Sequence, residues 1–249
     1  MSDPGRAVAI VPVRLGSQRL PGKALLADSG KPLFAHTWEQ AQAAQRFDQA
    51  IIATDSDEVA AAAEAIGAPV MRTSESPRTG SERCAEAAVQ LDASIIVDVQ
   101  GDWPEVAPGD LDRLVDAVMA GAPCATLVAP LPADRTDDPN VVKAVRGLQG
   151  RALYFSRAAV PYLADPAGAP GTRLRHVGVY AFARDTLLRV PELPSSGLAE
   201  AEGLEQLRFL ENGIAIEALD ASNEPWGIES ARDYAAFLAR LKQGGQPAP

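Results

Sequence analysis

Short apolar blocks alternate with stretches of helical periodicity along the first 130 residues. Residues 7–13 form a continuous apolar run closed by Arg14, the pattern of a parallel strand buried on both faces. Residues 33–45 read as a helix and 49–53 as a second strand. The helix predicted over 58–66 takes Thr54 or Asp55 as its cap and ends at Gly67, and 69–71 is a brief third strand. A helix over 82–91 leads into the run SIIVDVQ, the strongest strand signal in the chain (94–99), which stops at Gly101. A helix over 111–120 and a strand over 125–129 complete the series. This alternation predicts an α/β fold with a mostly parallel, doubly wound sheet covered on both faces.

Past residue 130 the rhythm changes. Strands are predicted over 141–146 and 176–182, with a turn at 147–150, and 164–172 is a Pro/Gly-rich loop. A helix over 198–210 closes at Asn212-Gly213, a last helix covers 231–242, and the tail from Gly244 is expected to be disordered. We therefore expect a nucleotide-binding core over 1–130, a smaller mixed α+β lobe over 131–225, and a C-terminal helix returning to the core over 226–249.

Composition narrows the classes. At 249 residues the chain accommodates one sizeable α/β domain, or one with a small appended lobe. No apolar stretch reaches the roughly 18 to 20 residues that span a bilayer, and the N-terminus does not read as a signal peptide. Cys84 and Cys124 make neither a disulfide framework nor a zinc site, and are expected to be reduced and half-buried, which points to the cytoplasm. A net charge of −10 argues against nucleic-acid or anionic-membrane partners.

Charge is informative locally. Between Pro4 and Ala27 there is no acidic residue, while Arg6, Arg14, Arg19 and Lys23 all fall there. Charge alone fits a solvated loop as well as an anion site. The stretch VPVRLGSQRLPGKAL (11–25) adds geometry: a buried strand empties into a loop with Gly16, Ser17, Pro21 and Gly22. Ligands of open α/β sheets bind beyond the carboxyl ends of the strands, where glycine-rich backbone and cations suit a triphosphate. The loop matches neither GxxxxGK[ST] nor GxGxxG.

Nine blocks in order then carry a resemblance: PVRLGSQRLPGKAL (12–25), GKPL (30–33), ATDSDEV (53–59), TGSER (79–83), VQGDWP (99–104), DPNVVK (138–143), LYFSRAAVPY (153–162), RHVGVYAF (175–182) and LEQLRFLENG (204–213). Over nearly its whole length the chain resembles the 3-deoxy-manno-octulosonate (KDO) cytidylyltransferases, the CMP-KDO synthetases of lipopolysaccharide biosynthesis. The resemblance implies a nucleotide-diphospho-sugar transferase-like fold and a homodimer formed through the lobe after residue 130, with 151–162 in the interface. It implies that the anomeric hydroxyl of an acidic keto-sugar attacks the α-phosphate of CTP, with Mg²⁺ as cofactor and pyrophosphate leaving. Arg14, Arg19, Lys23 and Asp102 then form the catalytic set, with Pro12, Val13, Thr79, Gly80, Ser81 and Gln100 around CTP. Arg157, His176, Tyr180, Glu205 and Gln206, with Gln100, surround the sugar, where an arginine suits the carboxylate. Asp102, which taken alone reads as a turn aspartate after a strand, becomes a Mg²⁺ ligand. His36, on a predicted helix, reads as structural.

The chain departs from the family at specific places. Trp103-Pro104 stands where the family usually carries Glu-Pro, and Pro77-Arg78 where it carries His-Gln. GVDTPEDL appears as GIESARDY (227–234), so Glu229 takes the place of the aspartate that supplies a second metal ligand. LExxE becomes LAEAE (198–202), with the loss of one acid. These changes make Arg78 a candidate extra cation in the sugar site. They leave open CMP activation of a sialic-type or amino-substituted sugar acid, or a non-catalytic relative that binds nucleotide or sugar.

Overall fold

The computed structural model describes residues 5–16, 19–165 and 171–244. Ser17 of the N-terminal loop, the centre of the Pro/Gly-rich stretch and the tail beyond Gly244 lie outside the described residues.

The apolar runs become β1 (Ala7–Pro12), β2 (Phe47–Thr54), β3 (Val70–Arg72) and β4 (Ile95–Val99), all parallel to one another. Their crossovers are α1 (Leu33–Ala43), α2 (Asp57–Ala65) and α3 (Gly80–Ala88), and α4 (Pro108–Met119) leads on to β5 (Cys124–Pro130). A hairpin, β6 (Lys143–Arg146) and β7 (Ala152–Ser156), precedes the long β8 (Leu174–Ala183). Then follow α5 (Arg184–Arg189), α6 (Gly197–Glu202), α7 (Glu205–Glu211), β9 (Ile216–Asp220) and α8 (Ala231–Lys242). The sheet order is β3-β2-β1-β4-β8-β5-β9, and β6 pairs with the start of β8.

The mostly parallel α/β sheet expected from the alternation is present, with β8 running against both of its neighbours. Strand pleating sends successive side chains to opposite faces, which β1 shows directly. Ala7, Ala9 and Val11 join one apolar layer with Phe34, Trp38, Leu111 and Leu114. Val8 and Ile10 join the other with Cys84, Phe182, Leu207 and Phe209. Residues 131–225 are woven into this sheet through β8 and β9, while the β6–β7 hairpin stands off its path.

Several local expectations are corrected. Ser56, not Thr54 or Asp55, caps α2, accepting from Val59 N at 3.3 Å. The helix expected over 198–210 is two helices, because Gly203 adopts a left-handed φ of 62° that ends α6. Both cysteines are fully buried rather than half-buried. Strand β9 has no counterpart among the sequence expectations. Among the described residues no helix is long and apolar enough to cross a membrane.

Candidate functional site

The chain runs from β1 through β2 to β3 on one side, then crosses back so that β4 pairs with β1 on the other. The carboxyl ends of β1 and β4 therefore diverge at a topological switch point, where open α/β sheets bind ligands. Val13 continues β1 by donating to Ala53 O at 2.9 Å, and Gln100-Gly101-Asp102 follow β4. Gly101 permits this close approach: a Cβ there would stand 3.2 Å from Val13 Cγ2.

Gly22, with φ 66°, turns the N-terminal loop into the short 3-10 turn Lys23–Leu25 and brings Lys23 back over the switch point. Its Nζ reaches Asp102 Oδ2 at 2.6 Å and donates to Ile228 O at 2.7 Å, and Glu229 Oε2 lies 3.7 Å away. Arg19 bonds the same Glu229 oxygen at 2.8 Å and Asn140 Oδ1 at 3.0 Å. Two carboxylates thus converge on one ammonium, an oxygen donor set suited to a hard divalent cation with phosphate and water completing the shell. Glu229 is pushed above the usual carboxylate range, first by burial and then by the neighbouring Asp102. Arg14 donates to Arg78 O at 3.2 Å and lines a separate depression with Gly16, Asp55 and Ser56.

On the other side of Asp102 lies a cavity of about 200 Å³, lined by Gln100, Asp102, Arg157, His176, Tyr180, Glu205, Gln206 and Glu229 among others. Because β8 is antiparallel, its first half lies at the carboxyl ends of β4 and β5, which is how His176 and Tyr180 enter. A register shift against Thr126 marks this stretch of β8, and Thr126 Oγ1 donates to Val179 O at 2.7 Å. That hydroxyl lies 3.0 Å from His176 Nε2, so the hydrogen-bond pattern assigns the imidazole proton to Nε2 and leaves Nδ1 as the acceptor. Burial pushes His176 down to about 3, so it is a neutral polar contact rather than a charge. Asp98 accepts Gln100 Nε2 at 3.1 Å on each oxygen and Ser81 Oγ at 3.1 Å, which orients the Gln100 amide. Gly80 makes room for that amide, since a Cβ there would collide with Gln100 Nε2. Burial raises the pKa of both Asp98 and Glu205.

The structure thus gathers Gln100, Arg157, His176, Tyr180, Glu205 and Gln206 around one cavity, with Asp102 and Glu229 at the Lys23 end. Arg78 is not among them: its side chain is 80% exposed, faces Glu82 at 3.7 Å and lines a different groove. Pro12 and Val13 are buried, the Thr79 side chain is taken up in capping α3, and the Ser81 hydroxyl is taken up by Asp98. His36 is structural, bonded to Ser29 Oγ at 2.8 Å and edge-on to Phe237. Arg135, Asn140, Arg175 and Trp226, which the sequence reading did not single out, also line the cavity. Asn140 and Arg175 lie inside the resembling blocks DPNVVK and RHVGVYAF, which was their only visible signal.

A sheet with its switch point at β1/β4, a cation-rich loop there and a paired-carboxylate end to a polar cavity define the nucleotidyltransferase class. The family model described as "Cytidylyltransferase" matches residues 8–217. The chain belongs to that family, and within it to the 3-deoxy-manno-octulosonate cytidylyltransferases. The protein of that name from Chlorobium limicola is 44% identical over 242 residues, covering 95% of this chain and 98% of its own. The one from Myxococcus xanthus is 41% identical over 242 residues, covering 96% and 98%. The solved structure of CMP:2-keto-3-deoxy-manno-octonic acid synthetase complexed with CTP superposes with a TM-score of 0.89 at 34% identity, covering 96% of this chain and all of the other.

Proposed function

We propose that the protein transfers CMP from CTP to the anomeric hydroxyl of KDO, releasing pyrophosphate. The observation that carries this reading is the junction at Lys23, where Asp102 and Glu229 meet one ammonium at the mouth of a cavity lined for a polyhydroxy acid. Such a transfer asks for positioning and charge stabilisation more than for a covalent nucleophile. Arg14, Arg19 and Lys23 hold the triphosphate and stabilise the charge on the departing pyrophosphate. To do so, Arg19 and Lys23 exchange carboxylate partners for phosphate oxygens. Gln100, Tyr180, Glu205 and Gln206 orient the sugar hydroxyls. Asp102 and Glu229 would hold Mg²⁺, which when bound supplies Lewis-acid neutralisation of the phosphates.

We place the enzyme in the cytoplasm as a homodimer. The exposed Leu148, Leu153 and Tyr162, in and beside the segment 151–162, support an interface there. The functional test is pyrophosphate release from each of the four nucleoside triphosphates with KDO and Mg²⁺. Release confined to CTP is the expected result. Release from another triphosphate, or none with KDO, overturns the reading.

A further inference from the structure

Three guanidiniums enter the cavity wall, and they differ in what their nitrogens have left to donate. Arg135 gives Nε and Nη2 to Asp138 Oδ2 at 3.2 and 2.9 Å. Arg157 gives Nε to Glu202 O at 2.7 Å, Nη1 to Pro139 O at 2.8 Å and Nη2 to Gly203 O at 3.3 Å. Arg175 gives Nη1 to Pro225 O at 2.6 Å, while its Nε and Nη2 are buried with no partner among the described residues. The residue is 1% exposed.

Nε and Nη2 lie on one edge of the guanidinium, where their N–H bonds run parallel at the spacing of two carboxylate oxygens. Burial lowers Arg175 only to about 10, so the charge persists at neutral pH. A buried cation with an idle bidentate edge is costly in the free protein, and a planar anion arriving with the ligand relieves that cost. The edge is closed to solvent, however. The Trp226 ring stacks over the guanidinium face, with Arg175 Cζ 4.1 Å and Arg135 Cζ 4.7 Å from its centroid, and lies on the irregular stretch between β9 and α8.

We propose that Arg175, rather than Arg157, takes the carboxylate of the sugar acid on its Nε/Nη2 edge, beside the Trp226 indole that lies over its face. The inference rests on the reading above that the cavity receives an acidic sugar. It gives Arg175 the part of choosing acids over neutral sugars, which Arg157, held by backbone carbonyls, is poorly placed to play. The two-point charged hydrogen bond forms in the plane of the guanidinium, so the cation–π contact with Trp226 on its face is kept.

The test compares KM for KDO and for its C1 carboxamide at saturating CTP. Arg175→Gln is expected to raise KM for the acid about 30-fold, leave KM for CTP within about twofold, and abolish the preference of acid over amide. Loss of that preference separates anchoring from structural damage, which penalises both ligands alike. If the Gln variant does not fold, Arg175→Lys carries the test: it keeps the charge but not the fork, and about a tenfold rise is expected. The arrival of the carboxylate beside the stacked indole is read by fluorescence, since Trp38, Trp103 and Trp226 are the chain's three tryptophans. The emission change on adding KDO should be larger in wild type than in Trp226→Phe, and equal changes overturn the placement of the carboxylate on Arg175. An unchanged acid-over-amide preference in an active Arg175 variant overturns the anchor and leaves the cytidylyltransferase reading standing. A wild type that turns over no sugar acid overturns both.

Discussion

At the Lys23 end of the site, cations and carboxylates face one another across short, half-open gaps. In the cavity beyond, Arg175 and Asp98 are fully buried, and the Arg175 Nε/Nη2 edge has no partner among the described residues. Arg19 is 51% exposed and Glu229 36%, whereas Arg175 and Asp98 are shut away from water and Glu205 is half-buried with its Oε2 covered. The contrast follows from what each end binds. A triphosphate brings its own charge and metal, so its receptor is stable alone only if its cations are neutralised internally, and binding is an exchange of partners. A sugar acid offers mostly hydroxyls, so its receptor is set by buried groups whose orientation folding has fixed. Damage at the first end should therefore appear in chemistry, and damage at the second in sugar affinity and stability.

The largest effect is expected from Lys23→Ala. Removing the ammonium that touches Asp102 should lower kcat about 10³-fold, with little change in KM for the sugar. A fall confined to sugar KM would erase the division between the two ends. Next come the two carboxylates. Glu229→Gln should lower turnover about 100-fold at limiting Mg²⁺, with much of the loss recovered at high Mg²⁺. Asp102→Asn should not be recovered, because Asp102 makes the 2.6 Å contact while Glu229 stands at 3.7 Å. A titration of rate against Mg²⁺ for both variants decides this, and equal recovery of both would sink it.

How far the sequence reached differs between the same two ends. Arg14, Arg19 and Lys23 stood out because a local signal carried them, a cation-rich loop after a strand, whereas Asp102 taken alone read as a turn aspartate and was singled out only through the surrounding blocks. Around the cavity, Arg157, His176, Tyr180, Glu205 and Gln206 were legible only through ordered resemblance, since they come from β8, the start of α7 and the segment after β7. Nothing local shows that β8 slots antiparallel between β4 and β5, because pairing partners are a long-range matter. For the same reason β9, an edge strand beside β5, went unread. Arg175 looked like a charge at a strand start, and its burial under Trp226 depends on a segment 50 residues away. Arg78 was drawn toward the sugar by its chemistry alone, and its place beside Glu82 on α3 keeps it out.

The Trp103 substitution tests the packed end more gently. Its indole fills the gap over Gly178 and Gly227, where a Cβ would stand 2.7 Å from Nε1 and 3.0 Å from Cζ2 respectively. Gly178→Ala should cost about 1–3 kcal/mol of stability and raise KM for the sugar about tenfold, leaving CTP unaffected. Combined with Trp103→Glu, the residue its family usually carries, the cost of Gly178→Ala should shrink, since the two positions share one contact. Additive losses in denaturant melts of the double variant would show that the indole is not what the missing Cβ accommodates.

The smallest effect is a pH dependence that the two histidines divide between the scaffold and the cavity. Burial lowers His176 to about 3, and burial followed by the nearby Lys31 charge lowers His36 to about 4. Unfolded, both titrate near 6.5. Their stabilisation as neutral rings is therefore complete above pH 6.5 and is lost as pH falls toward those folded values, since the unfolded chain binds the extra protons. Each should contribute about 2 kcal/mol of lost stability between pH 7 and pH 5. The carboxyls Asp98 and Glu205, raised rather than lowered, tilt stability the other way over the same range, so the wild-type curve alone is a mixture. The difference between wild type and His176→Asn, followed by denaturant midpoint across that window, isolates one proton. It should narrow steadily as pH falls, and likewise for His36→Gln. A difference that stays flat for His176→Asn but narrows for His36→Gln would mean that the cavity histidine titrates as freely as in the unfolded chain, and that the cavity admits water where the structure shows a closed wall.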